Sequence, residues 1–197
     1  IPSALISPPD AQYGTALLCS WATFLDADDD PDLSTITWTI DGFPAGTGPV
    51  LTEGFTGGQT VACTITPYDG EETGTPIEAS IVIGNTPPSI GHVNVSPNPA
   101  YAASTLLCSW TGFADVDSDA DVSTASWTIN GVSAGSGTSL SGGFIDDDVV
   151  ECTVVPSDGT ETGTPVSGSR EVSNTAPSVA SASVSPASPT YADTLTC

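Results

Sequence analysis

The sequence predicts an all-β fold, arranged as tandem β-sandwich domains of about seven short strands each. Three observations support this prediction: an internal repeat, strands that alternate apolar and polar residues, and a pair of cysteines in each repeat. Cys19 returns as Cys108, 89 residues later (108 − 19). The same interval separates Trp38 from Trp127. Similarity within a chain at a fixed period is the signature of a repeated structural unit.

The repeat divides the chain into two full units and the start of a third. The motif ETGTP begins at Glu72 and again at Glu161, and NTPPS at Asn85 matches NTAPS at Asn174. A unit that stops at its first cysteine cannot close its own core, so we expect the sequence to belong to a longer array. The predicted units are residues 1–85 (repeat 1), 86–174 (repeat 2) and 175–197 (the N-terminal part of an incomplete third repeat).

Strict alternation marks the strand before the first tight turn of each repeat. In the segment STITWTI, the residues Ile36, Trp38 and Ile40 share one face, as alternate residues of a strand do. The tight-turn dipeptide Asp41-Gly42 follows directly, and Asn130-Gly131 stands at the matching place in the second repeat. No segment shows a helical period. About seven short strands in roughly 90 residues is the size of a β-sandwich.

The two cysteines of each full repeat are 44 residues apart (63 − 19 and 152 − 108) and lie on predicted strands whose inward faces they share. We therefore predict the disulfides Cys19–Cys63 and Cys108–Cys152. The alternative is a pair of buried free thiols in a reducing compartment. A zinc site is disfavoured because no cysteine has a second ligand at metal spacing. Disulfides predict an oxidising location, either extracellular or on a cell surface.

The order Cys19…Trp38…Cys63, together with its copy 89 residues later, resembles the frame of immunoglobulin-like domains. The acidic phrase DVDSDADVSTASWTING, which begins at Asp115, is similar to segments of bacterial cell-surface repeats of the immunoglobulin-like and cadherin-like kind. The resemblance implies tandem immunoglobulin-like sandwiches of an extracellular adhesin or surface fibre. Two departures separate the chain from antibody domains: the first cysteine and the tryptophan are 19 residues apart (38 − 19), and Val61 stands where a tyrosine is expected.

The charge of the chain excludes several classes of partner. The sequence has 24 acidic residues against a single lysine or arginine, and its net charge is −23. Such a field repels nucleic-acid phosphates and anionic lipid, and it attracts cations. Long apolar runs are absent from the sequence, so we expect no part of this segment to insert in a membrane. With one histidine and no lysine, general acid–base or nucleophilic catalysis has almost no candidates, and we expect no enzyme and no catalytic residues.

An acidic loop precedes the strand with the alternating tryptophan in each repeat, with aspartates at every second residue. In an extended segment, alternate carboxylates would point the same way. Carboxylate oxygens are the hard ligands that Ca²⁺ prefers, so the pattern predicts a calcium loop, although not an EF-hand. The alternative is a solvated acidic loop that keeps a secreted array soluble. The predicted metal ligands are Asp26, Asp28, Asp30 and Asp32 in the first repeat and Asp115, Asp117, Asp119 and Asp121 in the second.

Two functions from different classes fit these observations. The first is a structural one: a secreted or cell-surface stalk, fibre or filament, stiffened by calcium or by tight junctions at NTPPS and NTAPS. The second is an adhesin module that recognises glycan or protein through loops at one end of the sandwich, for which Phe43-Pro44 is the strongest candidate. The expected partners are neighbouring copies of the same protein or repeat. In one version, strands of a neighbouring chain complete the fold of residues 175–197.

Overall fold

The computed structural model describes residues 3–197, so the first two residues of predicted repeat 1 lie outside the described residues. Fourteen β-strands and no α-helix are present in the described range. The predicted all-β class is confirmed. It follows that this range holds no helix with the length and apolar character needed to cross a membrane.

The strands form two groups of seven, and the groups follow the two full repeats of the sequence. The first group consists of β1 (Ala4–Ser7), β2 (Leu17–Trp21), β3 (Thr35–Ile40), β4 (Phe43–Thr47), β5 (Val50–Leu51), β6 (Thr60–Thr66) and β7 (Ile77–Val82). The second group consists of β8 (His92–Ser96), β9 (Thr105–Thr111), β10 (Thr124–Ile129), β11 (Val132–Ser136), β12 (Ser139–Ser141), β13 (Val149–Val155) and β14 (Val166–Glu171).

Each group folds into a sandwich of two antiparallel sheets. In the first sandwich, a three-stranded sheet of order β1-β2-β5 packs on a four-stranded sheet of order β4-β3-β6-β7. In the second, the sheets have the orders β8-β9-β12 and β11-β10-β13-β14, so the topology is the same in both. The predicted fold of tandem immunoglobulin-like sandwiches is confirmed.

The core of each sandwich lies between its two sheets and consists of apolar side chains. Trp38 is 1% exposed and packs with Leu17 and Val61, while Trp127 occupies the matching place in the second core. The indole N–H of Trp38 donates a hydrogen bond to the carbonyl oxygen of Gly48 (2.8 Å). A buried N–H without a partner is costly, so this bond allows the largest side chain of the core to be fully enclosed.

Both predicted disulfides are present, and each joins the two sheets of one sandwich. Cys19 in β2 is bonded to Cys63 in β6, and Cys108 in β9 is bonded to Cys152 in β13. All four cysteines are buried, and their sulfur atoms are bonded in pairs, so they are not the buried free thiols of the alternative. Trp38 lies directly across the β3–β6 pair from Cys63. In the chain-entropy model, a link over 44 residues stabilises the fold by about 4 kcal/mol.

The predicted tight turns have the backbone that their residues favour. Asp41 and Gly42, between β3 and β4, have φ values of 49° and 81°. Asn130 and Gly131, between β10 and β11, have φ values of 49° and 79°. Two successive positive φ values define the turn whose twist matches that of the flanking strands, and Asp-Gly and Asn-Gly are its preferred pairs.

The segment 175–197, which follows the second sandwich, carries no strand. A single isolated bridge joins Ser185 to Thr196, and almost all of these residues are exposed. Cys197 is a free, exposed thiol. That this segment begins a third repeat, and the boundaries of the repeats themselves, stay predictions.

Candidate functional site

The acidic loop of each repeat curls around its first predicted ligand. In the second loop, Oδ1 of Asp115 accepts hydrogen bonds from the backbone N–H groups of Asp117 (2.8 Å) and Asp119 (3.1 Å). Ser118, between them, has a left-handed backbone with φ of 68°. The first loop has the same bonds, made by Asp26, Asp28 and Asp30, and the same left-handed residue, Asp29. The first carboxylate of each loop therefore caps a turn, and the loop is curled rather than extended.

The fourth aspartate of each loop fixes the start of the strand that carries the core tryptophan. Asp121 Oδ1 accepts the backbone N–H of Ser123 (2.9 Å), and its Oδ2 accepts the indole N–H of Trp110 (2.9 Å). Asp32 holds Ser34 in the same way (3.0 Å). Partial burial raises the pKa of Asp121, but the hydrogen bonds from Ser123 and Trp110 outweigh it and leave the pKa below its ordinary value. Asp121 is thus held ionised against the edge of the core.

Asp117 joins the two sandwiches. One of its carboxylate oxygens accepts the backbone N–H of Gly57, in the loop before β6 of the first sandwich. The other accepts the backbone N–H of Thr86, in the linker between the sandwiches (2.6 Å). Hydrogen bonds to a charged acceptor contribute about 1.5–3 kcal/mol each. A Cβ placed on Gly57 would lie 2.7 Å from the carboxylate of Asp117, so any other residue here would force that carboxylate to shift from its present position.

A second polar contact crosses the same junction. The side-chain amide of Asn85 donates to Oδ2 of Asp158 (2.8 Å) and to Oε2 of Glu161 (3.2 Å). The other oxygen of Asp158 accepts the backbone N–H groups of Thr160 and Glu161, which fixes the turn before β14. The hydrogen bond from Asn85, followed by that from the Glu161 N–H, holds the pKa of Asp158 below its ordinary value. Asp158 is therefore ionised and oriented toward the linker.

The linker between the sandwiches, residues 84–89, is hydrogen-bonded to both of them. On the side of the first sandwich, the N–H of Gly84 donates to the carbonyl oxygen of Ala11 (2.8 Å). On the side of the second, Ser89 and Ala114 exchange two backbone hydrogen bonds of 2.9 Å.

Between these bonds Pro88 is buried, and a Cβ placed on Gly163 would overlap its carbonyl oxygen. The linker is therefore packed along its length. We call Gly57, Asn85 and Thr86 the tail of the first sandwich, and Asp117, Asp158, Glu161 and Gly163 the head of the second.

The eight predicted calcium ligands make different contacts in the structure. Asp26 and Asp115 cap their loops, Asp32 and Asp121 bond to the residues that precede the next strand, Asp117 crosses the junction, and Asp28, Asp30 and Asp119 are exposed. Within residues 3–197, no group of three or more Asp, Glu, His or Cys side chains is arranged to hold a metal ion. Two buried oxygens, Oδ2 of Asp115 and Oγ1 of Thr86, have no hydrogen-bond partner among the described residues. Calcium binding stays a prediction.

Several junction residues were not anticipated from the sequence. Gly57, Asp158 and Gly163 were not among the predicted site residues, although Asp158 and Gly163 lie at repeated positions, whereas Asn85 begins the NTPPS segment at which a tight junction was expected. The available signal was a difference between the repeats: Asp146 stands where the first repeat has Gly57. In the first repeat this position faces Asp117 in the head of the second sandwich.

No protein-family model and no curated protein sequence matches this chain. Among solved structures, a two-domain fibronectin type-III segment of chicken tenascin is similar, with 13% identity, a TM-score of 0.46, and coverage of 87% of this chain and 99% of that one.

The fibronectin(III)-like modules of CbhA from Clostridium thermocellum have 15% identity, a TM-score of 0.32 and coverages of 86% and 94%. The three N-terminal domains of the outer capsid protein Hoc of bacteriophage RB49 have 14% identity, a TM-score of 0.34 and coverages of 87% and 58%. All three TM-scores are below 0.5, and the likeness to bacterial surface repeats stays a prediction.

Proposed function

We propose that this chain is a structural, non-catalytic segment of a secreted or cell-surface protein of the bacterial adhesin and fibre kind. In this proposal, disulfide-braced sandwiches follow one another in a stalk, fibre or filament. The observation that carries it is the packed junction, in which Asp117 of the second sandwich accepts backbone N–H groups from Gly57 and Thr86. Contacts of this kind transmit orientation from one sandwich to the next, which is what a stalk needs.

The composition of the linker supports the same conclusion. A flexible tether is rich in glycine and serine and leaves its backbone to water. Here Pro87 and Pro88 restrict φ, and Asn85 and Ser89 on either side are hydrogen-bonded to the second sandwich. The linker therefore favours one relative orientation of the sandwiches over many.

The disulfides support an oxidising location. Each links the two sheets of one sandwich, Cys19–Cys63 and Cys108–Cys152, and small domains that keep such links occur outside the reducing cytosol. The net charge of −23 keeps a long array soluble.

Calcium is the second part of the proposal. Oδ2 of Asp115 and Oγ1 of Thr86 are buried oxygens, and both residues are hydrogen-bonded to Asp117. These oxygens are hard donors of the kind that Ca²⁺ prefers. A cation bound beside them would also reduce the repulsion among the carboxylates of the loop. Thermal unfolding with added Ca²⁺ and then with EDTA tests this part, and equal melting temperatures in the two conditions would remove calcium from the account.

Small-angle X-ray scattering tests the array function. We expect the wild-type chain to scatter as two sandwiches in one fixed arrangement. A control with Gly-Ser-Gly-Ser inserted between Pro87 and Pro88 should scatter as a broad ensemble, because the linker can then no longer hold both sets of bonds. Wild-type scattering as broad as that of the control would contradict the proposal.

A binding role as an adhesin module remains the second candidate, and one observation favours it. Phe43, at the start of β4, is 75% exposed, an unusual position for a large aromatic side chain. Glycan or protein recognition through this end of the sandwich predicts that Phe43→Ala abolishes binding while the melting temperature is unchanged. The same variant leaves a purely structural function intact.

A further inference from the structure

The first sandwich carries its own copy of the head that the second sandwich uses in the junction. By the interval of 89 residues, Asp28, Asp69 and Glu72 correspond to Asp117, Asp158 and Glu161. These side chains stand on loops that are already folded. Asp26 Oδ1 caps the first loop, and Asp69 Oδ1 accepts the backbone N–H groups of Glu71 and Glu72 (2.7 Å each). The loop backbones that carry these acceptors are therefore set in place before any partner arrives.

This head of the first sandwich (Asp28, Asp69, Glu72 and Gly74) is uncovered. Asp28, Glu72 and Gly74 are exposed, whereas their counterparts Asp117, Glu161 and Gly163 are half-buried. This difference in exposure arises because the tail and linker of the first sandwich cover the head of the second.

An apolar cavity lies at the same end of the first sandwich. It measures about 230 Å³, and its lining includes Trp21, Leu25 and Pro67. In the second sandwich the counterpart of Leu25 is Ala114, which pairs with Ser89 of the linker. The counterpart of Pro67 is Pro156, which is buried, whereas Pro67 is half-buried. The cavity therefore lies where a linker segment like Pro88-Ser89 would rest.

The observed junction indicates which residues a docking tail must have. The tail fits the aspartate best with glycine where Gly57 stands, because a Cβ there would lie 2.7 Å from the carboxylate, which would then have to shift from the N–H groups that it accepts. The tail of the second sandwich keeps Asn174 and Thr175 at the linker positions but has Asp146 in place of Gly57. A side chain at that position meets the acidic loop sterically, and its charge repels the aspartate there. The second sandwich is thus the wrong kind of neighbour for this head.

We propose that the head of the first sandwich is a docking surface for the tail and linker of another sandwich of the first kind, one with glycine at the position of Gly57. By the same rule, Asp146 prevents the tail of the second sandwich from docking there, so the identity of one loop residue sets the order of sandwiches in an array. This inference rests on the proposed structural function and specifies the partner of its uncovered end.

The test extends the full chain at its N-terminus with one more sandwich. One protein is preceded by a copy of residues 1–89, which supplies a glycine-type tail and linker. Its matched control is preceded by residues 90–178, which supply a tail of the same length with Asp146. Asp28→Ala is made in both, and amide hydrogen exchange is measured at the new junction, at the residues matching Gly57 and Thr86 or Asp146 and Thr175.

In the glycine-type protein, Asp28→Ala should speed exchange of both junction amides by about tenfold or more, the size expected for a lost charge-assisted hydrogen bond. In the control these amides should exchange fast with or without Asp28. Replacing Asp146 and Asp147 of the added sandwich by glycine should restore slow exchange. Asp147 already has a left-handed φ of 67°, so glycine fits its backbone.

Two outcomes would overturn the inference: no effect of Asp28→Ala in the glycine-type protein, or slow exchange in the Asp146 control. Asp117→Ala in the same proteins separates this from failure of the proposed function. If Asp117→Ala loosens the natural junction but Asp28→Ala changes nothing, the docking surface is wrong and the array function stands. If Asp117→Ala has no effect either, the array function falls with it.

Discussion

The carboxylate of Asp117 accepts the backbone N–H of Gly57 across the junction of the two sandwiches, 60 residues away along the chain. Its counterpart in the first sandwich, Asp28, is exposed although its loop has the same capping bonds. One repeated residue thus has two environments, and the difference comes from what stands next to it. The two copies therefore serve as matched controls for each other.

Replacing Asp117 by alanine should release the second sandwich from the first. Two hydrogen bonds to a charged acceptor are lost, and the N–H groups of Gly57 and Thr86 become free to exchange with water. We expect their amide exchange to accelerate by about tenfold or more, and the two sandwiches to tumble more independently in ¹⁵N relaxation.

Asp28→Ala is the control for this variant. It removes the same side chain from an exposed position, so the exchange of Gly57 and Thr86 should stay at the wild-type rate. Equal rates in wild type and Asp117→Ala would show that the contact does not hold the junction.

The packing of the linker predicts a second asymmetry between the copies. A methyl group on Gly163 would overlap the carbonyl oxygen of Pro88, whereas one on Gly74 would lie 3.1 Å from the Cβ of Pro67. Overpacking of this kind costs about 1–3 kcal/mol. Gly163→Ala should therefore lower the free energy of unfolding of the second sandwich, or displace the linker, by more than Gly74→Ala affects the first.

Chemical denaturation followed by tryptophan fluorescence reports the stability of both variants, and exchange of the Ser89 amide reports the position of the linker. If the two variants lose similar amounts of the free energy of unfolding, and the exchange rate of the Ser89 amide is unchanged, then Pro88 does not pack tightly against Gly163.

The fold could be predicted from the sequence because its determinants are local and repeated. Alternation placed Ile36 and Trp38 on one face, and both are buried. Cys19 and Cys63 were paired because each lies on the inward face of its own strand. A sandwich has two inward faces, and two cysteines on them at repeated positions leave few other partners.

The place of the junction could be predicted from NTPPS, but its contacts could not. Repetition indicates which residues correspond, such as Asp28 and Asp117, but not which residues touch. The contact between Asp117 and Gly57 depends on the relative orientation of two sandwiches, and this leaves no periodic trace in the sequence. Spacing alone likewise does not reveal that Asp115 caps the turn of the acidic loop with its own side chain.

The disulfides predict separable effects on the two sandwiches. Replacing Cys19 and Cys63 by alanine removes a link over 44 residues and should lower the free energy of unfolding of the first sandwich by about 4 kcal/mol. The matched variant, lacking Cys108 and Cys152, should affect the second sandwich by a similar amount. Differential scanning calorimetry should show one transition moved to lower temperature in each variant. A wild-type melting temperature that does not respond to a reductant would contradict this role.

Acid should loosen the junction through Asp158. The hydrogen bond from Asn85 holds the pKa of Asp158 below its ordinary value of 3.8, so the ionised carboxylate is favoured in the assembled junction. A group with a lowered pKa contributes stability above its ordinary pKa and loses it as the pH falls through the lowered one. We therefore expect the junction to be intact at neutral pH and to weaken below about pH 4. Glu161, which accepts from the same amide, faces Asn85 as well.

Asp69 provides the internal reference for this titration. Its pKa is also lowered, by the backbone N–H groups of Glu72 and Glu71 in its own turn, and it belongs to the uncovered head. Asn85→Ala should raise the pKa of Asp158, because the first of the bonds that lower it is removed, while the pKa of Asp69 stays unchanged. The side-chain carboxyl carbons of both residues can be followed by NMR from pH 7 to pH 2. If the pKa of Asp158 is the same with and without the Asn85 side chain, then the Asn85 amide does not bind Asp158 across the junction in solution. The lowered pKa of Asp158 would then come only from the backbone N–H groups of its own turn.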